Sequence, residues 1–346
     1  MIIIKKHLIV IAVLGITICF FLSPSTTANA VSHGMRLCGT TIIPSLFPFM
    51  VIISVVYGLG YFNIINKYVG PYVEGIFYLP RTVTPALIVG SMSGFPVGAQ
   101  MIKQLYDDKM LSKRSAEQAL MFCSNAGPAF IFGVVGNELF RSNIVATAIW
   151  LIHITGAICV GILTRQKDLI IPSAHATKES THLSLSQTIT ISILSSGMTV
   201  FKVCIYIVFF SILNSHLQNI LSKSKATFLI TGILELTNGI LQLKDCNRAI
   251  MYIVATALLA WNGLCIHCQV LSLIYESSLS SHKYFQGKLL HLLISTSIAF
   301  LTAPFLFRNH VNVVTFSLIA IVCLLLIVLL DFITKTSSGN RKKYGI

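Results

Sequence analysis

Four short polar segments interrupt the apolar stretches of this chain, and their residue types suit the binding of a small solute. The segments are residues 90–98, 124–128, 232–239 and 262–269. Glycine and proline break helices there, and the ends of a broken helix present free amides to anions and free carbonyls to cations. The candidate binding residues are Ser91, Ser93, Gly94, Pro96, Gly98, Asn125, Gly127, Pro128, Glu235, Thr237, Asn238, Asn262 and Gln269.

The amide side chains in these segments favour a neutral polar ligand, because an amide both donates and accepts hydrogen bonds. They are Asn125, Asn238, Asn262 and Gln269. The alternative is that small and polar residues only let helices pack closely, and for any single glycine or serine this is the commoner case. Because the segments occur in matching order in the two halves of the chain, we favour binding.

Glu235 is the most distinctive single residue, since it lies in the apolar run 226–243. A carboxylate at membrane depth is costly and by default indicates function. It could bind a coupling cation, take up a proton or accept hydrogen bonds from a ligand. A structural pairing with a neighbouring donor, or a position near the surface, explains it equally well.

Motifs of soluble catalysis are missing from the sequence. It contains no Gly-Lys-Ser/Thr phosphate loop, no His-Glu-x-x-His and no Gly-x-Ser-x-Gly. Cys265 and Cys268 have the spacing of half a zinc site, but no second pair accompanies them. We therefore expect neither an enzyme, a metal site nor a cofactor, although coupling to a sodium ion or a proton is compatible with the sequence.

The composition indicates a polytopic membrane protein. Of its residues 55% are hydrophobic and 10% are charged, whereas soluble domains carry about 25% charged residues. The formal charge is +14, but most of the basic residues lie in short connections between apolar runs, where they orient a membrane protein. We expect the lipid bilayer and a small polar solute as partners, homo-oligomers as a further option, and no nucleic acid.

The positions of the basic residues predict how the chain crosses the membrane. Apolar runs fall at residues 7–22, 37–60, 82–102, 118–136, 143–163, 188–214, 226–243, 249–275, 287–307 and 312–333. If all ten crossed, the basic connection 103–117 would lie outside, against the positive-inside rule. Making runs 82–102 and 226–243 re-entrant corrects this. The prediction is an all-α protein with about eight full transmembrane helices, two re-entrant broken hairpins and both termini cytoplasmic.

The order of elements predicts two inverted repeats, each with a hairpin followed by a span broken at Asn and Gly. The expected organisation is an N-terminal transmembrane helix (1–31), a first repeat (32–163), a cytoplasmic linker (164–187), a second repeat (188–333) and a basic cytoplasmic tail (334–346). Lys5, Lys6 and Ala28-Asn-Ala30 also fit a cleavable signal peptide. We favour a retained helix, because the chain continues without a break toward the next span.

Several motifs together resemble a known family. They are Ile43-Pro-Ser-Leu-Phe-Pro-Phe49, Ser93-Gly-Phe-Pro-Val-Gly-Ala99, Asn125-Ala-Gly-Pro-Ala-Phe-Ile131 and Leu234-Glu-Leu-Thr-Asn-Gly239. Their order over residues 1–333 is similar to that of the YlbJ family of sporulation integral membrane proteins. That family belongs to a wider group with nucleoside-recognition Gate domains, related to concentrative nucleoside transporters and to the membrane part of the FeoB iron transporter.

The resemblance implies a multi-pass protein of the cell membrane of an endospore-forming bacterium, in the mother cell or the forespore. It implies two Gate-like repeats and a requirement in sporulation, with sporulation proteins as possible partners. One departure is Gln100, where the family often has a basic residue. The leading hypothesis is a carrier, similar to secondary transporters, for a small and nucleoside-like solute. The alternative is a scaffold for spore-envelope assembly that transports nothing.

Overall fold

The structure, a computed structural model, describes residues 2–166, 184–221, 227–275 and 277–308, and every regular element within these ranges is helical. The helices of the first half are α1 (Ile2–Leu22), α2 (Pro24–Leu37), α3 (Ile43–Gly58), α4 (Tyr61–Phe77), α5 (Thr84–Met92), α6 (Val97–Asp107), α7 (Lys113–Leu120), α8 (Pro128–Phe140, π-helical over Ile131–Phe140) and α9 (Asn143–Leu163). Those of the second half are α10 (Leu185–Ile220), α11 (Thr227–Leu234), α12 (Leu236–Leu241), α13 (Arg248–Trp261), α14 (Gly263–Tyr275) and α15 (Ser281–Arg308). Most of the linker, the run 312–333 and the basic tail lie outside the described residues.

The ends of the helices coincide with proline and capping residues rather than with the ends of the apolar runs. The expected boundary at residue 31 falls inside α2, because Pro24 begins that helix and the preceding helix ends at Leu22. A π-helical turn, Cys38–Ile42, carries α2 on into α3. The expected second repeat begins at 188, whereas α10 begins at Leu185, where Ser184 and Gln187 form a capping box.

Five helical stretches among the described residues are long and apolar enough to cross a membrane. They are Pro24–Gly58, Asn143–Leu163, Leu185–Ile220, Arg248–Tyr275 and Ser281–Phe307. Along α10 the large apolar side chains of Phe201, Ile205 and Phe209 are exposed at a spacing that places them on one face. Such a face is costly in water and stable against lipid, so the chain is a multi-pass membrane protein.

Each half of the chain contains two short helices that fold back on one another. In the first half, α5 and α6 meet so closely that a methyl group on Gly98 would overlap the Cys123 carbonyl oxygen and lie 2.8 Å from the Gly90 Cα. In the second half, a methyl group on Gly239 would overlap the Gly232 Cα. We call these pairs hairpin 1 (Thr84–Asp107) and hairpin 2 (Thr227–Leu241).

A break in a longer helical path follows each hairpin. Residues 121–127 separate α7 from α8, and Pro128 restarts the helix. Between α13 and α14 a single residue, Asn262, adopts a left-handed conformation with φ 81°. Asparagine tolerates this conformation better than most residues, so the sequence chemistry accounts for the position of the break.

Helix packing brings the two halves of the chain together. Helix α10 packs against α2 and α3, while α15 packs against α9 and α13. The larger apolar core contains residues of both halves, among them Ile131, Ile149, Leu236 and Tyr252, all at most 1% exposed. The two hairpins and the two breaks therefore surround the same interior.

Candidate functional site

A small cavity lies between the two hairpins, the first break and α14. Its lining includes Gly94 of hairpin 1, Gly127 of the first break, Glu235 and Thr237 of hairpin 2, and Gln269 of α14. Its volume is about 30 Å³, which is enough for about one water molecule. Each of the four segments singled out from the sequence thus contributes at least one residue to this cavity.

Glu235 is the buried carboxylate of this cavity, with 2% of its surface exposed. It is the residue that separates α11 from α12, and its carboxylate caps α12 by accepting hydrogen bonds from Thr237 N (3.0 Å) and Asn238 N (2.8 Å). Negative charge at a helix N-terminus is also stabilised by the helix dipole. The geometry therefore combines both sequence interpretations, because the same carboxylate is a structural cap and lines a cavity.

Gln269 supplies an unused hydrogen-bonding group to the same cavity. Its Nε2 donates to Cys265 Sγ (3.5 Å), and its Oε1 has no partner among the residues that the structure describes. A buried amide oxygen without a donor costs about 1–3 kcal/mol. A ligand or a water that donates to this oxygen would recover that free energy.

The backbones of hairpin 1 and the first break touch at their glycines. Gly94 has φ 87°, and a Cβ there would lie 2.9 Å from Gly127 N. Both features favour glycine, since a side chain would meet strain and the neighbouring backbone together. Pro96 and Gly98 continue hairpin 1 directly after this contact, and neither lines the cavity.

Two of the predicted residues on the breaks are engaged in local structure. Asn125 Nδ2 donates to the Phe122 carbonyl at 2.8 Å, although its Oδ1 has no partner within the described ranges. Pro128 begins α8. His153 also stabilises this break, because its Nε2 accepts a hydrogen bond from Ala126 N (2.9 Å).

Asn238 faces α2 and α10. Its Oδ1 accepts from His33 Nε2 at 2.9 Å and its Nδ2 donates to Ser211 Oγ at 3.4 Å. His33 belongs to α2, so this network ties hairpin 2 to the N-terminal part of the chain. The binding interpretation of Asn238 is therefore weaker than that of Glu235 and Gln269.

The two serines of hairpin 1 have different surroundings. Ser91 Oγ donates to the Leu87 carbonyl of its own helix at 2.8 Å. Ser93 Oγ is buried without a partner in the described structure and faces a second, more polar cavity of about 160 Å³. Gln100, Ser196 and Thr199 also line that cavity, which separates hairpin 1 from α3 and α10.

Lys288 is a buried polar residue that the sequence interpretation missed. It lies on α15 with 0% of its surface exposed, and its Nζ donates to the Ser124 carbonyl of the first break. The signal that could have found it is a polar stripe on one helical face of an apolar span. The stripe consists of Tyr284, Lys288, His291, Ser295 and Thr302, all 0% exposed.

Asn262 of the second break meets the same lysine. With its amide oriented to satisfy both neighbours, Asn262 Nδ2 donates to the Leu259 carbonyl (2.7 Å) and its Oδ1 accepts from Lys288 Nζ (3.2 Å). Asn262 therefore takes part in a network distinct from the cavity at Glu235. In the described ranges, no cluster of three or more His, Cys, Asp and Glu residues could hold a metal ion.

Comparison with known proteins bears on the motifs around these sites. A family model described as nucleoside recognition, the Gate domain, matches residues 40–142. Over 306 residues the chain is 23% identical to the sporulation integral membrane protein YlbJ of Bacillus subtilis (strain 168), covering 77% of this chain and 75% of the relative. The resemblance predicted from the motifs is thereby confirmed. No solved structure matches the chain.

The Gate match divides the candidate residues into two groups. It contains hairpin 1 and the first break, and hence Ser91 through Pro128. Glu235, Thr237 and Gln269 lie beyond it and line the cavity from the opposite half of the chain. The cavity thus combines residues of the Gate match with residues that the match does not include.

Proposed function

We propose that this protein is a carrier for a small, nucleoside-like polar solute in the cell membrane of a spore-forming bacterium. The observation that carries the proposal is the cavity between the two hairpins, which Glu235 and Gln269 line together with Gly94 and Gly127. Gln269 Oε1 has no hydrogen-bond partner among the described residues. Paired broken helices around a buried polar site are the usual construction of a secondary transporter. We propose no chemical reaction for the site.

The volume of the cavity indicates which motion transport would need. About 30 Å³ is far below the ~300 Å³ at which small-molecule pockets begin. Solute would therefore enter only when a hairpin moves away from the opposite half. A second cavity, of about 160 Å³, lies beside hairpin 1, and we propose that solute passes through it.

Contacts between connecting segments support the proposed topology of eight spans and two re-entrant hairpins. One set joins Tyr106 Oη to Ser278 Oγ (2.5 Å) and Glu117 Oε1 to Ser280 N (2.9 Å). These residues all belong to connections that the topology assigns to the cytoplasm. Arg248 Nη2 donates to the Phe140 carbonyl at 3.4 Å, and the topology assigns both of these residues to the outside.

Cysteine labelling of intact cells tests this topology. With the native cysteines replaced by serine or alanine, Asp108→Cys and His175→Cys should both be protected from a membrane-impermeant maleimide. Asp245→Cys, on the connection after hairpin 2, should react. Position 175 lies outside the described residues and tests the linker independently. Labelling of both positions 108 and 175 in intact cells would refute the re-entrant hairpin 1, because a full crossing by run 82–102 would place both connections outside.

Uptake by proteoliposomes tests transport itself, with labelled nucleosides and other small spore solutes as probes. Ser93→Ala should reduce uptake about 3- to 10-fold, the effect of one lost hydrogen bond. Ser91→Ala is the matched control and should have no effect, because its hydroxyl bonds within its own helix. Equal uptake by both variants would remove Ser93 from the solute path.

A scaffold without transport makes the opposite predictions. Uptake would then be undetectable for every probe, and sporulation would tolerate Ser93→Ala and Gln269→Ala. Changes in the exposed residues of segment 103–117 or in the linker would impair sporulation instead. A sporulation complementation assay of these variants therefore separates the two functions.

A further inference from the structure

Lys288 is an ionisable residue buried inside the protein, on a helix that does not line the cavity at Glu235. Lys288 lies on α15, a helix long and apolar enough to cross the membrane. None of the surface of Lys288 is exposed. Burying an ammonium group costs several kcal/mol unless polar partners surround it. In the described part of the chain no carboxylate forms an ion pair with it, and the partners that the structure gives it are neutral oxygen atoms.

The partners of Lys288 are oxygen atoms from both breaks. The Ser124 carbonyl of the first break accepts one hydrogen bond, and Asn262 Oδ1 of the second accepts another at 3.2 Å. The hydroxyl oxygen of the same residue, Ser124 Oγ, is also buried and has no hydrogen-bond partner among the described residues. Backbone carbonyls freed by a broken helix, together with an amide oxygen, are the ligands that small monovalent cations use in membrane proteins.

Close contacts on either side of Lys288 fix the position of α15 and therefore hold the Lys288 ammonium group beside the Ser124 carbonyl. Gly287, the residue before Lys288, lies so close to Met121 that a methyl group there would overlap the Met121 carbonyl oxygen. Farther along the same face, His291 Nε2 donates to the His153 carbonyl at 2.9 Å. Helix α15 is thus held against the first break on one side of Lys288 and against α9 on the other.

We propose that the Lys288 ammonium is a built-in cation that joins the two breaks, in the position where a small monovalent cation would otherwise bind. The proposal is independent of transport, because it concerns the stability of the resting protein. It predicts that shortening Lys288 leaves a site for a cation that can donate hydrogen bonds. Methylammonium is the matching probe, and tetramethylammonium carries the same charge without an N–H group.

The experiment measures the Tm of the purified full-length protein in detergent at constant ionic strength. Lys288→Ala should lower Tm by at least about 5 °C, and methylammonium should restore much of this loss with a saturable dependence. Tetramethylammonium should restore nothing, and neither salt should shift the wild-type Tm. Lys283→Met, on the same helix and partly exposed, is the control and should stay near the wild-type Tm.

Two results of the Tm measurements would overturn the proposal. One is equal stabilisation of Lys288→Ala by both ammonium salts; the other is a Lys288→Met variant as stable as Lys283→Met. If Lys288→Ala does not accumulate, Asn262→Asp supplies the test. With Lys288 present the new carboxylate should pair with the ammonium and be tolerated, whereas combined with Lys288→Met it should prevent folding. Additive effects of the two substitutions would also contradict the proposal.

Discussion

Replacing Gly98 with alanine is expected to destabilise the protein by about 3 kcal/mol or more, because the methyl group has no space. It would overlap the Cys123 carbonyl oxygen and lie 2.8 Å from the Gly90 Cα. Both neighbours are backbone atoms, so neither can rotate away as a side chain could, and the cost should reach the upper end for overpacked sites. The loss should appear as a lower Tm in detergent and as reduced accumulation in the membrane.

Gly75→Ala is the matched control for this substitution. Gly75 lies on α4, and a Cβ there would meet nothing within 4 Å. Alanine should therefore be neutral, or stabilise α4 by up to about 1 kcal/mol through its better helix propensity. If Gly98→Ala and Gly75→Ala had the same Tm, hairpin 1 would not pack against the first break as described.

Replacing Glu235 with alanine is expected to have the second large effect. The substitution removes both hydrogen bonds that cap α12, from Thr237 N and Asn238 N. Losing a helix cap costs about 0.5–2 kcal/mol, and two bonds to one buried carboxylate should reach or exceed the upper value. Hairpin 2 would lose its sharp reversal, so the proposed solute uptake should be lost together with stability.

Graded variants separate the cap from the charge of Glu235. Aspartate is a strong helix cap, so Glu235→Asp should be the most stable, followed by Glu235→Gln and then Glu235→Ala. If the negative charge of Glu235 binds solute, Glu235→Gln should reduce the rate of uptake at least about tenfold. This reduction should be larger than the loss of folded protein indicated by the lower Tm of the variant. Glu138→Ala removes an exposed carboxylate on α8 and should change neither quantity. An identical Tm for all three Glu235 variants would contradict the capping role.

Hairpins and breaks were predictable because they depend on local chemistry. Glycines at 90, 94 and 98 mark hairpin 1, and Pro128 marks the restart after the first break. The hairpin-2 reversal follows from Glu235, which caps the helix that begins at the next residue. Asn262 is similar, since its left-handed conformation suits asparagine. The exact helix ends were less predictable, because α2 lies between two apolar runs and α10 extends beyond the run 188–214 at both ends.

The candidate binding residues lie in separate sites of the structure, and their spacing in the sequence does not predict which residue belongs to which site. Glu235, Thr237, Gln269, Gly94 and Gly127 line one cavity. Ser93 faces another cavity, and Asn262 belongs to the network of Lys288. A polar residue on a broken segment can point toward either neighbour, and the packing of the surrounding helices decides which one it meets.

The sequence by itself determined that this is a helical multi-pass membrane protein with polar breaks at four places, and its motifs determined the resemblance to YlbJ. Composition and local conformational preference carry that information, and both act over a few residues. Only the tertiary structure decided that Lys288 contacts Ser124, 164 positions away in the chain, and that Glu235 and Gly94 line the same cavity. Such long-range contacts depend on which face of each helix packs inward. That choice is made by the packing of all the helices together, so it cannot be read from a few neighbouring residues.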